Sequence, residues 1–227
     1  MRGSLAGLSF PDAIVFDLDG TLIDTVEARI AAWLTALADA GTPTTREAVA
    51  PLIGLDGRRL ARDVAALAGT PIDDARAERI DRRCGELYER LNQDPRPLPG
   101  VRELVAAMDG RGLGWAIATS SRKAQVATSV AALRLDVEPM IVDASHVRHA
   151  KPEPDLLLLA ADQLRVEPTR CWYIGDSTWD MVAAVSATMI PIGVTAGAAV
   201  DAAALEGAGA AVVVASLLDV AEALTAR

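Results

Sequence analysis

The sequence predicts an α/β protein, a doubly wound parallel sheet carrying an all-helical insert near its start. Three observations predict it. First, Ala13-Ile14-Val15-Phe16 is a short apolar run rich in β-branched residues, which reads as a strand buried on both faces. Second, residues 24–91 carry helical patterns with no strand among them. Third, from residue 101 onward strand and helix alternate, as in a parallel sheet covered by helices on both faces.

The elements follow in order. Asp24-Thr25-Val26-Glu27 reads as a capping box with Asp24 as N-cap, after which Val26, Ile30, Trp33, Leu34 and Leu37 recur at helical spacing. Gly41 stops this helix and Pro43 follows. Thr44-Thr45-Arg46-Glu47 opens a second helix with another capping box. Residues 53–57 form a loop, 58–68 a third helix and 73–91 a fourth. Three prolines in residues 95–99 make a stiff connector and a hinge. Beyond it helices are expected at 101–108, 122–133, 154–164, 179–187 and 217–224, and strands at 115–119, 140–142, 171–174, 190–194 and 211–215.

Composition narrows the function classes. A chain of 227 residues is long enough for one sizeable domain with a smaller insert. The formal charge of −9 argues against a nucleic-acid binder, whose footprint is a basic patch. No apolar run approaches the roughly 20 residues of a membrane span, and the first ten residues are too short and interrupted for a signal peptide. Cys84 and Cys171 lack metal spacing and read as reduced core residues of a cytoplasmic protein. The chain uses twenty Arg and only two Lys, Lys123 and Lys151, so a Lys invites attention.

The candidate chemistry lies at strand ends. Residues two apart on a strand share a face, so Asp17 and Asp19 lean toward one volume at the strand's carboxyl end, where open parallel sheets bind ligands. Two adjacent carboxylates call for a hard divalent cation such as Mg²⁺, and leave one free to act as nucleophile and the other as acid and base. A calcium loop would need Glu at its twelfth position, which is Ala28. Thr119-Ser120-Ser121 precedes a helix and suits a phosphate, though from this segment alone a plain Ser N-cap is the stronger reading. Lys151-Pro152 offers a compact cation. Asp176 ends another strand, and Asp180 either caps the helix with Ser177 or joins the site. His146 and His149 read as loop residues.

Asp17-Leu18-Asp19-Gly20-Thr21, Thr119, Lys151-Pro152 and Gly175-Asp176-Ser177-x-x-Asp180, in this order, resemble the four signature motifs of the haloacid dehalogenase superfamily. Within it the chain is most similar to the branch of phosphoglycolate phosphatases and β-phosphoglucomutases. The resemblance implies a Rossmann-like core of residues 1–22 and 97–227 and a helical cap of residues 23–96. It implies that Asp17 attacks phosphorus and that Asp19 serves as acid and base. Mg²⁺ would be held by Asp17, the Asp19 carbonyl and Asp176. Thr119, Ser120 and Lys151 would hold the phosphoryl group, with Asp180 behind them. The cap loop at 53–59 suggests that Arg58 or Arg59 meets the substrate's distal group; a solvated helix face is the other reading. Two departures stand out. Arg29 lies where the phosphoglucomutases of this branch carry His, and Ala187-Thr188 where the helix after the fourth motif usually reaches Gly. The expected function is Mg²⁺-dependent hydrolysis of a small phosphorylated metabolite by a monomer or homodimer, with no nucleic-acid or membrane partner. A sugar phosphomutase and a catalytically silent binding module are the alternatives.

Overall fold

In the computed structural model, which describes residues 4–226, strand β1 (Ala13–Phe16) is buried at all four positions. Expectations touching residues 1–3 and 227, the ends of the core span and the start of the leader reading, lie outside the described residues. After β1 the chain forms a two-residue strand β2 (Ile23–Asp24) and enters the insert: α1 (Val26–Asp39), α2 (Arg46–Val49), α3 (Gly57–Leu67) and α4 (Asp74–Leu91). Strand β3 (Arg96–Pro97) returns antiparallel to β2, so the two crossings between insert and sheet form a small ribbon. Then follow α5 (Val101–Asp109), β4 (Gly114–Ala118), α6 (Lys123–Ala132), β5 (Met140–Val142) and α7 (Asp155–Leu164). The chain ends with β6 (Cys171–Gly175), α8 (Thr178–Ser186), β7 (Ile190–Val194), α9 (Ala202–Gly207), β8 (Val212–Val214) and α10 (Leu217–Thr225).

Six strands form one sheet in the order β5-β4-β1-β6-β7-β8, all parallel. β1 lies between β4 and β6, with Ala13 opposite both Gly114 and Cys171. Its residues alternate between two cores. Ile14 and Phe16 join Leu104 of α5 and Leu217 of α10 on one face; Ala13 and Val15 join Leu157 of α7 and Ala183 of α8 on the other. Burying one such large apolar side chain stabilises by about 1.5–3 kcal/mol, more than the roughly 1 kcal/mol span of strand propensity, so packing fixes this strand. The insert has its own core, with Ile30, Trp33, Leu37, Leu60, Ile80 and Tyr88 buried together. This is the Rossmann-like sheet with a helical cap that the sequence leads one to expect.

Local details correct the sequence reading. Asp24 does not cap α1: it is exposed on β2, and Thr25 is the N-cap, without a side-chain capping bond. The Thr25 hydroxyl instead donates to Asp19 Oδ1 at 2.7 Å, a partner outside the helix. The second expected box also fails, since Thr45 precedes α2 and makes no capping bond. Helix α9 was not expected; it is six residues long, and Leu205 is its buried anchor. The β2–β3 ribbon includes part of the proline-rich 95–99 connector and is too short to show a strand period.

Candidate active site

The carboxyl edge of the central strands gathers the polar residues. Asp17 follows β1, and its amide donates to the Ile174 carbonyl at 2.9 Å, which extends the ladder with β6. Gly20 then turns the chain at φ +84°. A Cβ at Gly20 would lie 2.2 Å from Asp176 Oδ2, so the turn admits Asp176 only because it is Gly. Thr21 Oγ1 donates to Asp176 Oδ1 at 2.8 Å and ties the two strand ends together.

Lys151 is fully buried and donates through Nζ to Asp17 Oδ1 at 2.6 Å, to Asp180 Oδ1 at 2.8 Å and to Tyr173 Oη at 3.2 Å. Asp180 performs both of the roles left open in the sequence. Its Oδ2 accepts from the Ser177 amide and hydroxyl at 3.0 and 2.6 Å, and its Oδ1 holds Lys151. Burial pushes the Asp17 carboxyl up to about 7 against the pull of Lys151, with Asp180 adding to the rise. Burial, with Asp180 and Asp17 beside it, lifts Asp176 well above the carboxylate range. Burial opposes the charge on Lys151, but Asp17 and Asp180 outweigh it and raise its pKa.

The Asp19 carboxylate faces the insert. Arg29 Nη2 donates to Oδ2 at 2.8 Å and Ser121 Oγ to Oδ2 at 2.7 Å, while Thr25 Oγ1 and Tyr88 Oη each donate to Oδ1 at 2.7 Å. Burial favours the neutral acid, but the Arg29 charge and the bonds from Ser121, Thr25 and Tyr88 together hold Asp19 below the usual carboxylate range. Arg29 also lies 3.5 Å above the Tyr88 ring, so one cap helix braces the other against the core carboxylate.

Asp17, Asp19, Thr119, Ser120, Lys151 and Asp176 line one cavity of about 50 Å³, closed over by Trp33, Ile53, Gly54 and Leu60 of the insert. Ser120 Oγ donates to the Gly54 carbonyl at 3.1 Å, which fastens the cap loop to the core. Thr119 Oγ1 accepts from the Ser121 amide at 3.1 Å. Arg58 is not brought into the cavity. It pairs with Asp56 at 2.9 Å and lines a neighbouring groove with Arg59, while Arg59 lies 5.9 Å from the Trp179 ring. His146 accepts from the Asp143 amide through Nδ1 and, like His149, does not line the cavity. The sequence reading noted Arg29 only as a departure from the phosphoglucomutases, and missed Tyr88, Ser121, Asp81 and Gln125 as site residues. Ser121 stood in a quoted motif but was read as a cap, whereas Arg122 is the N-cap of α6.

Carboxylate oxygens of Asp17, Asp176 and Asp180 lie within 4.8 Å of one another, an all-oxygen donor set that fits a hard divalent cation. Both oxygens of Asp180 are engaged, by Lys151 and Tyr173 and by Ser177, whereas Asp17 and Asp176 each have one engaged oxygen, which leaves these two as the side chains best able to hold the cation.

Residues 14–194 match the family model described as haloacid dehalogenase-like hydrolase. The chain belongs to that family. "Probable phosphatase IndB" of Dickeya dadantii (strain 3937) is 34% identical over 81% of this chain and 81% of its own length. "Beta-phosphoglucomutase" of Bacillus subtilis (strain 168) is 30% identical over 82% of this chain and 84% of its own. A crystal structure of a hydrolase from Pseudomonas syringae superposes with a TM-score of 0.89 at 35% identity, covering 94% of this chain and 98% of that one. Haloacid dehalogenase-like hydrolases generally use Mg²⁺, and the relatives of this chain include phosphatases and a phosphomutase. Among the described residues no helix is long and apolar enough to cross a membrane.

Proposed function

We propose that this chain is a Mg²⁺-dependent phosphatase that hydrolyses a small phosphomonoester through a phosphoaspartate on Asp17. The setting of Asp17 carries the reading. It is a buried carboxylate at the end of the central strand, held by Lys151 at 2.6 Å, and it faces a small cavity closed by the helical insert. Phosphoryl transfer asks mainly for positioning and charge neutralisation, which this arrangement supplies.

In the first step an oxygen of Asp17 attacks phosphorus and the bond to the leaving oxygen breaks. Asp19, in its protonated form, gives that oxygen a proton. In the second step Asp19 takes a proton from water as the water oxygen attacks phosphorus. The bond to Asp17 then breaks, and inorganic phosphate leaves with both aspartates restored. The grip of Arg29 and Tyr88 favours the carboxylate form of Asp19 that activates water. Thr119 and Lys151 orient the phosphoryl oxygens, and Asp180 keeps Lys151 in place. Mg²⁺ held by Asp17, Asp176 and the Asp19 carbonyl would neutralise charge on the transferring group. The insert, residues 23–96, closes to exclude water and reopens to release product.

The Arg29 ion pair with Asp19, at a position where the resembling phosphomutases carry His, supports hydrolysis over the mutase alternative. The presence of Asp17, Asp19, Lys151 and Asp176 in one cavity argues against a silent binding module. The test is phosphate release from a panel of phosphorylated metabolites, with Mg²⁺ or with chelator. Asp17→Asn is expected to lower kcat by about 10³-fold or more. Release that persists in the variant, or in chelator, would overturn the reading.

A further inference from the structure

Beyond the groups assigned to phosphoryl chemistry, the cavity is lined by Trp33, Leu60, Asp81 and Gln125. We propose that Asp81 is a specificity-determining residue, selecting phosphomonoesters with a hydroxyl at the distal end and rejecting those with a carboxylate there. This rests on the phosphatase reading above.

Three observations carry it. The first is a free acceptor. Asp81 Oδ2 accepts from Arg122 Nη2 at 2.6 Å, whereas its Oδ1 hydrogen-bonds no described residue. The carboxylate is packed against the start of α3, where a Cβ on Gly57 would lie 1.9 Å from Oδ1, so Gly57 is what gives Asp81 its place. The second is a free donor. Gln125 Oε1 accepts from Arg29 at 3.2 Å and from the Arg122 amide at 3.4 Å, and its amide nitrogen donates to no described residue. A hydroxyl both donates and accepts, and so can serve both groups. An ammonium can only donate, and a carboxylate only accept.

The third observation is charge. The cavity's two cations are engaged, Arg29 with Asp19 and Lys151 with Asp17 and Asp180. Arg122 is shared between Glu78 and Asp81. A distal carboxylate would therefore meet Asp81 with no unpaired cation among the described residues of the cavity. Like charges brought together away from water are strongly disfavoured. Trp33 and Leu60 supply the apolar surface for the carbon skeleton.

The experiment compares kcat/KM, in Mg²⁺, for compounds matched except at the distal end. The two-carbon set is 2-hydroxyethyl phosphate, phosphoethanolamine and 2-phosphoglycolate; the six-carbon pair is glucitol 6-phosphate and 6-phosphogluconate. The hydroxyl member is expected to lead the carboxylate by about tenfold or more in native protein, and phosphoethanolamine, whose ammonium Asp81 attracts, to lead the carboxylate as well. Asp81→Asn keeps the shape and removes the charge. It is expected to shrink the hydroxyl-to-carboxylate ratio by about tenfold, through a lower KM for the carboxylated compound. A native protein that favours the carboxylate over the hydroxyl or the ammonium overturns the assignment, and so does a folded variant with an unchanged ratio. The native series decides even if the variant does not fold. Release from p-nitrophenyl phosphate reports on the phosphatase reading separately, so the failure of one is distinguishable from failure of the other.

Discussion

Thr188, exposed just after α8, adopts φ +61°, a left-handed conformation in which a β-branched side chain crowds its own backbone. The cost is about 1–2 kcal/mol. Glycine relieves it but loses more backbone freedom on folding, by roughly 0.5–1 kcal/mol. Thr188→Gly is therefore expected to stabilise the protein by about 0.5–1 kcal/mol, raising the melting temperature by about 2 °C with kcat/KM unchanged. Calorimetry would check it, and a fall in melting temperature would refute the strain. At this scale the candidate site was legible where chemistry and position coincide. Asp17, Asp19 and Asp176 end apolar strands, and Lys151 stands out in a chain that otherwise writes Arg. Arg29 and Tyr88 were not legible as partners of Asp19, because they reach it from α1 and α4, and the angle at which the insert docks leaves no mark in a local pattern. Asp180 shows the limit of choosing between readings, since one oxygen caps α8 and the other holds Lys151.

Polar contacts tie the insert to the sheet domain, and Trp179 and Ala199 pack against the insert's apolar core. Arg122, at the start of α6, pairs with Glu78 at 2.9 Å and Asp81 at 2.6 Å on α4. Trp179 Nε1 donates to the Pro51 carbonyl at 2.9 Å, and the Asp56 amide to the Lys151 carbonyl at 2.9 Å. Arg122 is 41% exposed, so each of its pairs contributes roughly 0–1 kcal/mol after screening. Removing it should free the cap without unfolding the core. Arg122→Ala is expected to speed protease cleavage in the 94–100 connector several-fold while lowering stability by about 1 kcal/mol or less. An unchanged cleavage rate would show that the latch holds nothing. The long elements of this architecture could be read from sequence because each buries a periodic apolar face, as α1 does with Ile30, Trp33 and Leu37. The first cap was misread because Asp24 is taken up by β2 and Thr25 stands at the helix start, where its hydroxyl serves Asp19 rather than its own helix. The short α9 has one buried anchor, Leu205, too little to set a period.

The whole molecule concentrates negative charge at its centre as well as at its surface. The chain carries −9 overall, and Asp17, Asp176 and Asp180 meet in its interior around the single cation of Lys151. Desolvation and mutual repulsion there oppose folding, which is why Asp17 is pushed up to about 7 and Asp176 is lifted well above the carboxylate range. A divalent cation that binds this cluster binds only the folded chain, because Asp17 is far in sequence from the segment that carries Asp176 and Asp180. Folding and metal binding are therefore linked: at a free Mg²⁺ concentration of about 100 times Kd the gain is about 2.7 kcal/mol. For a chain of this size that corresponds to a rise of about 5–10 °C in melting temperature. Asp176→Asn separates the terms. Without metal it removes one repelling carboxylate, so its melting temperature should equal or exceed that of the native protein in chelator. With Mg²⁺ it lacks a ligand, so most of the rise should vanish. Thermal unfolding of both proteins, with chelator and with millimolar Mg²⁺, reads both effects. A native melting temperature that ignores Mg²⁺, or a variant that responds as fully as the native protein, would mean that these carboxylates answer to Lys151 alone and that the cation site lies elsewhere.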